Sequence, residues 1–338
     1  MDIEQRADPV TVESTTQQQR TRAIRWDQVS RLRDYGIPIA VLIVFVYLSF
    51  ASPTFLSTRN LLNVLDQSSI VGMVAVGGTL VLIAGGLDLS VGAIFAISGV
   101  FAAQMVDVAG VPVAILLGIL VGGVLGLING AISTVGRVNA IITTLATGIM
   151  IRGFALVLTG GSLVRTEDPS FSALGRGEIF GVKYVVLVFL LVVAVGWFLL
   201  SRTAFGRYIY AVGGNSDAAH LSGVRVNRIR TAAFVISGLT ASIAGVLVAS
   251  RVATGQADAG LGLEISAIAA IVIGGTSING GEGAVWRTVF GVLLVTLVGN
   301  GFNLLNLNPI WQQVFMGAVI LAAVAIDSWT KKSDGALR

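Results

Sequence analysis

Few residues in this 338-residue chain could do chemistry. There is no cysteine and His220 is the single histidine, so no Cys-ligated metal and no His cluster can form. His220 has no neighbouring Ser or Cys arranged as a nucleophile, which argues against a hydrolase. A P-loop needs GxxxxGK followed by Ser or Thr, and none of Lys183, Lys331 and Lys332 completes that pattern. We therefore expect no catalytic residue, no metal and no cofactor bound by this chain.

Charged residues inside apolar segments are the other candidates, because such residues are retained where they bind ions or line a solute pathway. The acidic candidates lie near segment ends or in Gly-rich breaks: Asp66, Asp88, Glu264, Glu282 and Asp327. Capping and snorkelling explain acids at such positions, and Asp88 is placed to cap the helix that follows it. Arg152, about a dozen residues into its segment, is the exception. We expect Arg152 to have a structural partner, with a polar pathway as the alternative.

The composition indicates a helical membrane protein. Hydrophobic residues make up 54% of the chain and charged residues 12%, and the mean hydropathy is +0.86. Such a chain cannot hide its apolar side chains inside a soluble domain. Its apolar runs are long rather than alternating, which favours helices over barrel strands. The net charge of +4 does not indicate nucleic-acid binding, because the basic residues fall at segment ends and in loops.

The chain divides into a polar tail at 1–34, a transmembrane permease domain at 35–329 and a short tail at 330–338. We predict an all-α polytopic bundle of about ten spans. The spans are predicted at 36–50, 61–84, 89–105, 111–135, 140–158, 182–200, 231–250, 263–273, 284–304 and 309–326. Most of the 22 Lys and Arg residues then lie on the side of the N-terminus. The positive-inside rule therefore predicts a cytoplasmic membrane protein with both termini, including a disordered N-terminal tail, in the cytoplasm.

Two Gly-rich breaks mark a candidate pathway, at 85–90 and at 274–283. The apolar run before the second break has about 11 residues and rises about 16 Å, too little to cross about 30 Å of hydrocarbon. Broken helices at membrane depth are tolerated where they line a cavity. A faint repeat, an Asn-Gly late in one span and an Asn in the next turn, suggests two halves of inverted topology. The candidate pathway residues are Asp88, Ser90, Asn129, Asn139, Thr143, Arg152, Gly274, Gly275, Glu282 and Asn300.

Small residues recur every fourth position in two spans. They are Gly118, Gly122, Gly126 and Gly130 in one span, and Ser237, Ala241, Gly245 and Ala249 in the other. Such stripes let helix backbones approach closely. We interpret both as helix packing within one subunit.

The polar segment 201–230 interrupts the apolar runs and is predicted to be cytoplasmic. Asn215 or Ser216 can cap a short helix that begins at Asp217 and stops at Gly223. One interpretation is an ordinary Arg-rich loop. The other is a docking element for a soluble partner, in which small residues permit close approach and the flanking arginines select the partner's charge.

Four stretches of this sequence resemble the integral-membrane permeases of ATP-binding-cassette importers, in the branch that serves ribose, xylose, galactose and related monosaccharides. They are GGLDLSVGAIFAISG at 85–99, NGAISTVGRVNAIITTLATGIMIRG at 129–153, FGRYIYAVGGNSDAAHLSGVRV at 205–226 and AIAAIVIGGTSINGGEGAVWRT at 267–288. The resemblance runs over about 60–325. Branched-chain amino acid permeases are similar, but more distantly.

The resemblance implies a permease in two copies, two cytosolic ATPase subunits that use ATP and Mg²⁺, and an extracytoplasmic sugar-binding protein. Permeases of this superfamily carry a coupling helix with Glu-Ala-Ala and a downstream Gly; here the matching positions are Asp217, Ala218, Ala219 and Gly223. Aspartate replaces the glutamate, which puts the finer contact geometry in doubt. The implied ATPase-coupling residues are Asn215, Ser216, Asp217, Ala218, Ala219, Leu221, Ser222 and Gly223.

We therefore expect a permease subunit that moves a monosaccharide, with ATP hydrolysis supplied by a separate ATPase. The alternatives are an ATP-driven permease for another small solute, such as a branched-chain amino acid, and a secondary transporter driven by an ion gradient. The scarcity of deep carboxylates argues against ion coupling.

Overall fold

The computed structural model describes residues 35–308, 310–319, 321 and 325. The predicted tails lie outside these residues, as do parts of the last predicted span. The helices are α1 Tyr35–Ala51, α2 Thr58–Ile83, α3 Val91–Ala109, α4 Val111–Thr134, α5 Ala140–Thr159, α6 Pro169–Arg176, α7 Tyr184–Arg202, α8 Ala204–Gly214, α9 Ser216–Leu221, α10 Val226–Val252, α11 Leu263–Ile273, α12 Val285–Leu304 and α13 at 310–319. The predicted helical, polytopic fold is confirmed.

Within the described ranges, 7 helices are long and apolar enough to cross a membrane: α2, α3, α4, α5, α7, α10 and α12. Helices α1 and α11 are apolar but shorter. The count of about ten spans and the inverted halves stay predictions.

Short strands and one extra helix connect the spans. Strand β1 (Val164–Arg165) pairs antiparallel with β4 (Thr254–Gly255). Strand β2 (Glu178–Ile179) pairs with β3 (Val182–Lys183) in a hairpin. Helix α6, which we did not predict, begins where the Asp168 carboxylate accepts the Ser170 N–H at 2.8 Å. These two-residue strands leave the fold essentially all-α.

Helix α10 lies at the centre of the bundle and packs against α2, α3 and α4. The glycine stripe of α4 faces it. A Cβ at Gly126 would overlap the Phe234 carbonyl oxygen, and one at Gly130 would lie 2.8 Å from Thr231 Cα. On α10 itself, a Cβ at Gly245 would overlap the backbone of α3. Both stripes therefore pack helices within this chain, as interpreted.

Asp66 corrects one sequence expectation. It lies about two turns from the start of α2, and it is 6% exposed. Its Oδ2 is 2.8 Å from Lys183 Nζ and 3.0 Å from Arg251 Nη1. The carboxylate neither caps a helix nor snorkels; it joins α2 to the start of α7 and the end of α10.

The polar segment 201–230 is more ordered than a loop. Helix α8 occupies its first half, with the Thr203 hydroxyl accepting the Gly206 N–H at 3.3 Å. Its apolar side chains Ile209 and Val212 are buried against the bundle. Asn215 ends α8 and caps α9, so the two short helices follow each other without a linker.

Candidate functional site

The chain between α2 and α3 leaves the helical conformation at Ala84 and resumes it at Val91. Gly85 has φ +79°, a left-handed conformation that favours glycine. The Gly86 N–H still bonds to the Val81 carbonyl at 2.9 Å, which closes the end of α2. The following residues run as irregular chain into the bundle, as the first Gly-rich break predicts.

Asp88 lies in this break and is 5% exposed. Its Oδ1 accepts the Ser90 N–H at 3.1 Å and the Ser90 hydroxyl at 2.6 Å, and its Oδ2 accepts the Ser237 hydroxyl at 2.8 Å. Ser90, not Asp88, is the residue at the N-cap of α3, so the expectation of a simple cap was wrong. Asp88 instead joins the break to α10. Among the described residues no basic side chain forms an ion pair with it.

Asn129 extends this contact to α4. Its Nδ2 donates to the Ser90 hydroxyl oxygen at 2.7 Å, and the side chain is 1% exposed. Its Oδ1 has no hydrogen-bond partner within the described part of the chain. We call Asp88, Ser90, Asn129 and Ser237 the polar cluster. It places a carboxylate, an amide and two hydroxyls together inside an apolar bundle.

Helix α5 supports the break from the other side. Thr144 Oγ1 accepts the Leu89 N–H at 3.1 Å, and its hydroxyl donates to the Ala140 carbonyl at 2.8 Å. The sequence singled out its neighbour Thr143, which is 4% exposed and whose hydroxyl has no partner among the described residues. Thr144 was missed, and Ser237 was interpreted only as one small residue of a packing stripe.

A small cavity lies beside Asp88, between the break, α2 and α11. Its volume is about 10 Å³, and it is lined by Val74, Gly78, Leu82, Leu87, Asp88 and Glu264, among others. That volume holds about one water molecule. No solute of the size of a monosaccharide fits there in this conformation.

The second Gly-rich break follows α11, which ends at Ile273 as predicted. Gly274 is tightly packed: a Cβ there would lie 2.9 Å from the Ala270 carbonyl oxygen. Gly275 has φ +77°, and the Glu282 carbonyl accepts the Ser277 N–H at 3.0 Å. The turn built by these residues brings the chain back to the end of α2.

The two breaks meet. The Gly281 N–H donates to the Ile83 carbonyl at 2.8 Å. A Cβ on Gly280 would lie 2.9 Å from Gly85 Cα. The sequence predicted two breaks in one pathway, and the structure joins them backbone to backbone.

Three of the predicted pathway residues outside the polar cluster have structural roles of their own. Asn139 is exposed and caps α5, its Oδ1 accepting the Ile141 N–H at 2.9 Å. Arg152 donates from Nη1 to the Ala257 carbonyl at 2.9 Å, so its partner is a backbone oxygen, in line with the structural interpretation. Asn300 forms a reciprocal amide pair with Asn60. Each of these side chains already has a structural partner.

Helix α9 forms where the sequence places it, but it runs over Ser216–Leu221. Asn215 Oδ1 accepts the N–H groups of Asp217 at 3.1 Å and Ala218 at 2.9 Å, and Gly223 after the helix has φ +84°. The idea that Ala219 faces a partner was wrong, because this residue is 6% exposed and packs against its own chain. The remaining predicted coupling residues that are exposed are Asn215, Asp217, Ala218, Leu221, Ser222 and Gly223. Leu221 is 88% exposed.

Comparison with known proteins identifies the family. The family described as "Branched-chain amino acid transport system / permease component" matches residues 60–324. The ribose import permease protein of Haemophilus influenzae is 40% identical over 305 residues, 87% of this chain and 93% of that protein. That of Bacillus subtilis is 40% identical over 94% of this chain and 98% of the relative. The D-allose transport system permease protein of Escherichia coli is 37% identical over 92% of this chain and 94% of the relative. The chain belongs to this family of permeases.

Proposed function

From this family membership, we propose that the chain is the membrane-spanning subunit of an ATP-driven importer that moves a monosaccharide into the cell. The names of its relatives support a pentose or hexose substrate. ATP hydrolysis belongs to a separate ATPase with Mg²⁺, because this chain carries no P-loop. The complex would contain a second permease copy and receive its sugar from an extracytoplasmic binding protein. It would lie in the cytoplasmic membrane with both permease termini inside.

The polar cluster is the observation that carries this proposal. A carboxylate, an amide and hydroxyls are the groups that bind sugar hydroxyls, and here they are buried together between α3, α4 and α10. In this conformation they bond to one another, and the adjacent cavity, at about 10 Å³, is too small for a sugar. We propose that opening of the helices exchanges some of these internal bonds for bonds to the passing sugar. Gly274, Gly275 and Glu282 would contribute to the same pathway through the second break.

Helix α9 is the proposed contact for the ATPase. Most of its residues are exposed, and its Leu221 offers an apolar anchor of the kind that dominates protein interfaces. The exposed Arg207, Arg225 and Arg228 flank it in the sequence with positive charge. An acidic rim on the ATPase groove would therefore suit this surface.

Asp88 also favours the alternative class, a secondary transporter driven by an ion gradient. The sequence assigned it a capping role in the first Gly-rich break, yet it is 5% exposed and has no ion-pair partner among the described residues. Buried carboxylates of this kind bind coupling ions in some transporters. A direct measurement of the energy source separates the two classes.

The test is sugar uptake into vesicles that contain the permease, its ATPase and its binding protein. We expect uptake of labelled D-ribose that requires ATP, stops with vanadate and survives a protonophore. Uptake that stops with a protonophore and ignores vanadate would instead support ion coupling. Competition by D-allose, L-arabinose and leucine identifies the substrate class, and competition by leucine alone would contradict a sugar.

A further inference from the structure

The end of α8 touches both Gly-rich breaks at a single point. A Cβ on Gly213 would overlap the Ile83 carbonyl oxygen and lie 2.6 Å from Gly281 N. These are the two atoms whose hydrogen bond joins the breaks. Only a residue without a side chain lets the α8 backbone reach this bond. We call Ile83, Gly213, Gly280 and Gly281 the glycine junction.

Two side chains hold the junction from neighbouring helices. The Tyr210 hydroxyl on α8 donates to the Gly283 carbonyl at 2.8 Å. Arg230 Nε on α10 donates to the Ala84 carbonyl at 3.0 Å. Burial raises the pKa of the Tyr210 hydroxyl, against the opposite effect of Arg287. A tyrosine is protonated at neutral pH even at its ordinary pKa, so this hydroxyl is a donor. At the junction, the end of α2 thus accepts a bond from Arg230 and the second break accepts one from Tyr210.

No flexible linker separates this junction from α9. Helix α8 ends at Gly214, and Asn215 both closes α8, with its N–H on the Ala211 carbonyl at 3.0 Å, and caps α9. On the other side, the chain runs from Ile83 to Asp88 of the polar cluster without a helix between them. Closely packed backbones of this kind transmit small displacements instead of absorbing them.

We propose that the glycine junction is the point at which movement of α9 reaches both breaks of the pathway, and that Gly213 is the positioning residue for this step. The inference rests on the proposed function, in which an ATPase docks on α9. It assigns a role to residues outside both the docking helix and the polar cluster.

The adjacent glycine provides a matched control. Gly214 lies next to Gly213 on the same helix, but a Cβ added there would have no atom within 4 Å beyond its chain neighbours and the backbone of its own helix. Alanine at either position gives a similar gain in helix propensity. Gly213→Ala and Gly214→Ala therefore differ in the contact with Ile83 and Gly281.

The experiment measures sugar taken up per ATP hydrolysed in vesicles, together with the amount of ATPase bound. For Gly213→Ala we expect normal ATPase binding and ATP turnover, with a ratio at least about fivefold lower. For Gly214→Ala we expect the wild-type ratio. A merely structural role would reduce the amount of working complex, and hence both quantities together, without changing their ratio. A wild-type ratio in Gly213→Ala would overturn the inference.

Tyr210→Phe keeps the inference testable if Gly213→Ala does not reach the membrane. It removes the bond to Gly283 without adding volume, and we expect a smaller decrease of the same ratio. An unchanged ratio in this variant would then refute the junction. Absence of ATP-dependent uptake with the wild-type chain would instead refute the proposed function.

Discussion

Asn60 on α2 and Asn300 on α12 exchange two amide hydrogen bonds. Asn300 Nδ2 donates to Asn60 Oδ1 at 2.8 Å, and Asn60 Nδ2 donates to Asn300 Oδ1 at 3.2 Å. Both side chains are buried, and Asn60 also donates to the Phe55 carbonyl at 2.9 Å. A pair whose polar atoms satisfy each other joins two helices at low cost in an apolar setting.

We predict that this pair stabilises the fold without taking part in transport. Asn300→Ala should lower the free energy of unfolding in detergent by about 0.6–2 kcal/mol. Asn60→Ala and the double variant complete a cycle that isolates the pairwise energy. Asn303→Ala, at an exposed position of the same helix, is the control. Additive effects of the two substitutions would contradict the pairing.

Asp66→Asn should destabilise the protein, because Lys183 and Arg251 would lose their shared carboxylate. Both basic side chains are about one-third exposed, at 33% and 31%, so water compensates part of the loss. We expect a loss of about 1 kcal/mol and a lower melting temperature in detergent. Asp258→Asn, at an exposed site, should leave the melting temperature unchanged. Equal stability of the two variants would show that the ion pairs contribute nothing.

Asp88→Asn should insert and fold but lose uptake. The amide cannot accept all the bonds that Asp88 receives from Ser90 and Ser237, because its NH₂ group opposes a hydroxyl donor. A mismatch of about 1–3 kcal/mol corresponds to a roughly 5- to 150-fold lower uptake rate. Asp107→Asn, on the exposed end of α3, serves as the control. Normal uptake by Asp88→Asn would show that the polar cluster does not line the sugar pathway.

Leu221→Asp should abolish ATPase association while the permease folds normally. The side chain is 88% exposed, so the change costs the isolated chain little. In a docked complex the buried carboxylate would cost at least about 1–3 kcal/mol. Pull-down of the ATPase measures the effect, with Arg165→Ala as control. Ala219→Arg is a poorer test, since Ala219 is buried in its own chain and the variant would misfold. If the Leu221→Asp variant binds as much ATPase as the wild-type chain, α9 is not the anchor.

The topology can be mapped with single cysteines, since the chain has none of its own. Cysteines at Phe180 and Asp258, both exposed, should react with an impermeant thiol reagent in intact cells. A cysteine at His220 should react only after permeabilisation. Labelling of the cysteine at position 220 in intact cells would show that the predicted orientation is wrong.

The spans could be predicted from the sequence because apolar length alone defines them. Helix α2 begins at Thr58 and ends at Ile83, within about three residues of the prediction. Helix α8 could not be recognised in the same way. Its arginine and tyrosines gave the segment a polar composition, while Ile209 and Val212, which bury one face, were too few to indicate a period.

Three of the four residues of the polar cluster, Asp88, Ser90 and Asn129, were among the predicted pathway residues, and Ser237 was not. Asp88 and Asn129 attract attention because carboxylates and amides are rare in apolar spans. Ser237 looked like one small residue in a packing stripe, and only the crossing of α10 over the break gives it a carboxylate partner. Asn139 was chosen on the same grounds as Asn129, yet it caps a helix at the surface. Distances between helices, which the sequence does not contain, decide between these outcomes.

Helix α2 connects the Asp66 ion pairs to the glycine junction. Its 26 residues span about 39 Å as one helix. Near its start, Asp66 is held by Lys183 and Arg251, and at its end Ile83 enters the glycine junction. If that helix shifts as a unit, binding near one membrane face changes the conformational free energy at the other face. In the proposed importer, thermodynamic reciprocity would then require that docking of the binding protein change the ATP affinity of the ATPase by the same factor as ATP changes the affinity of docking.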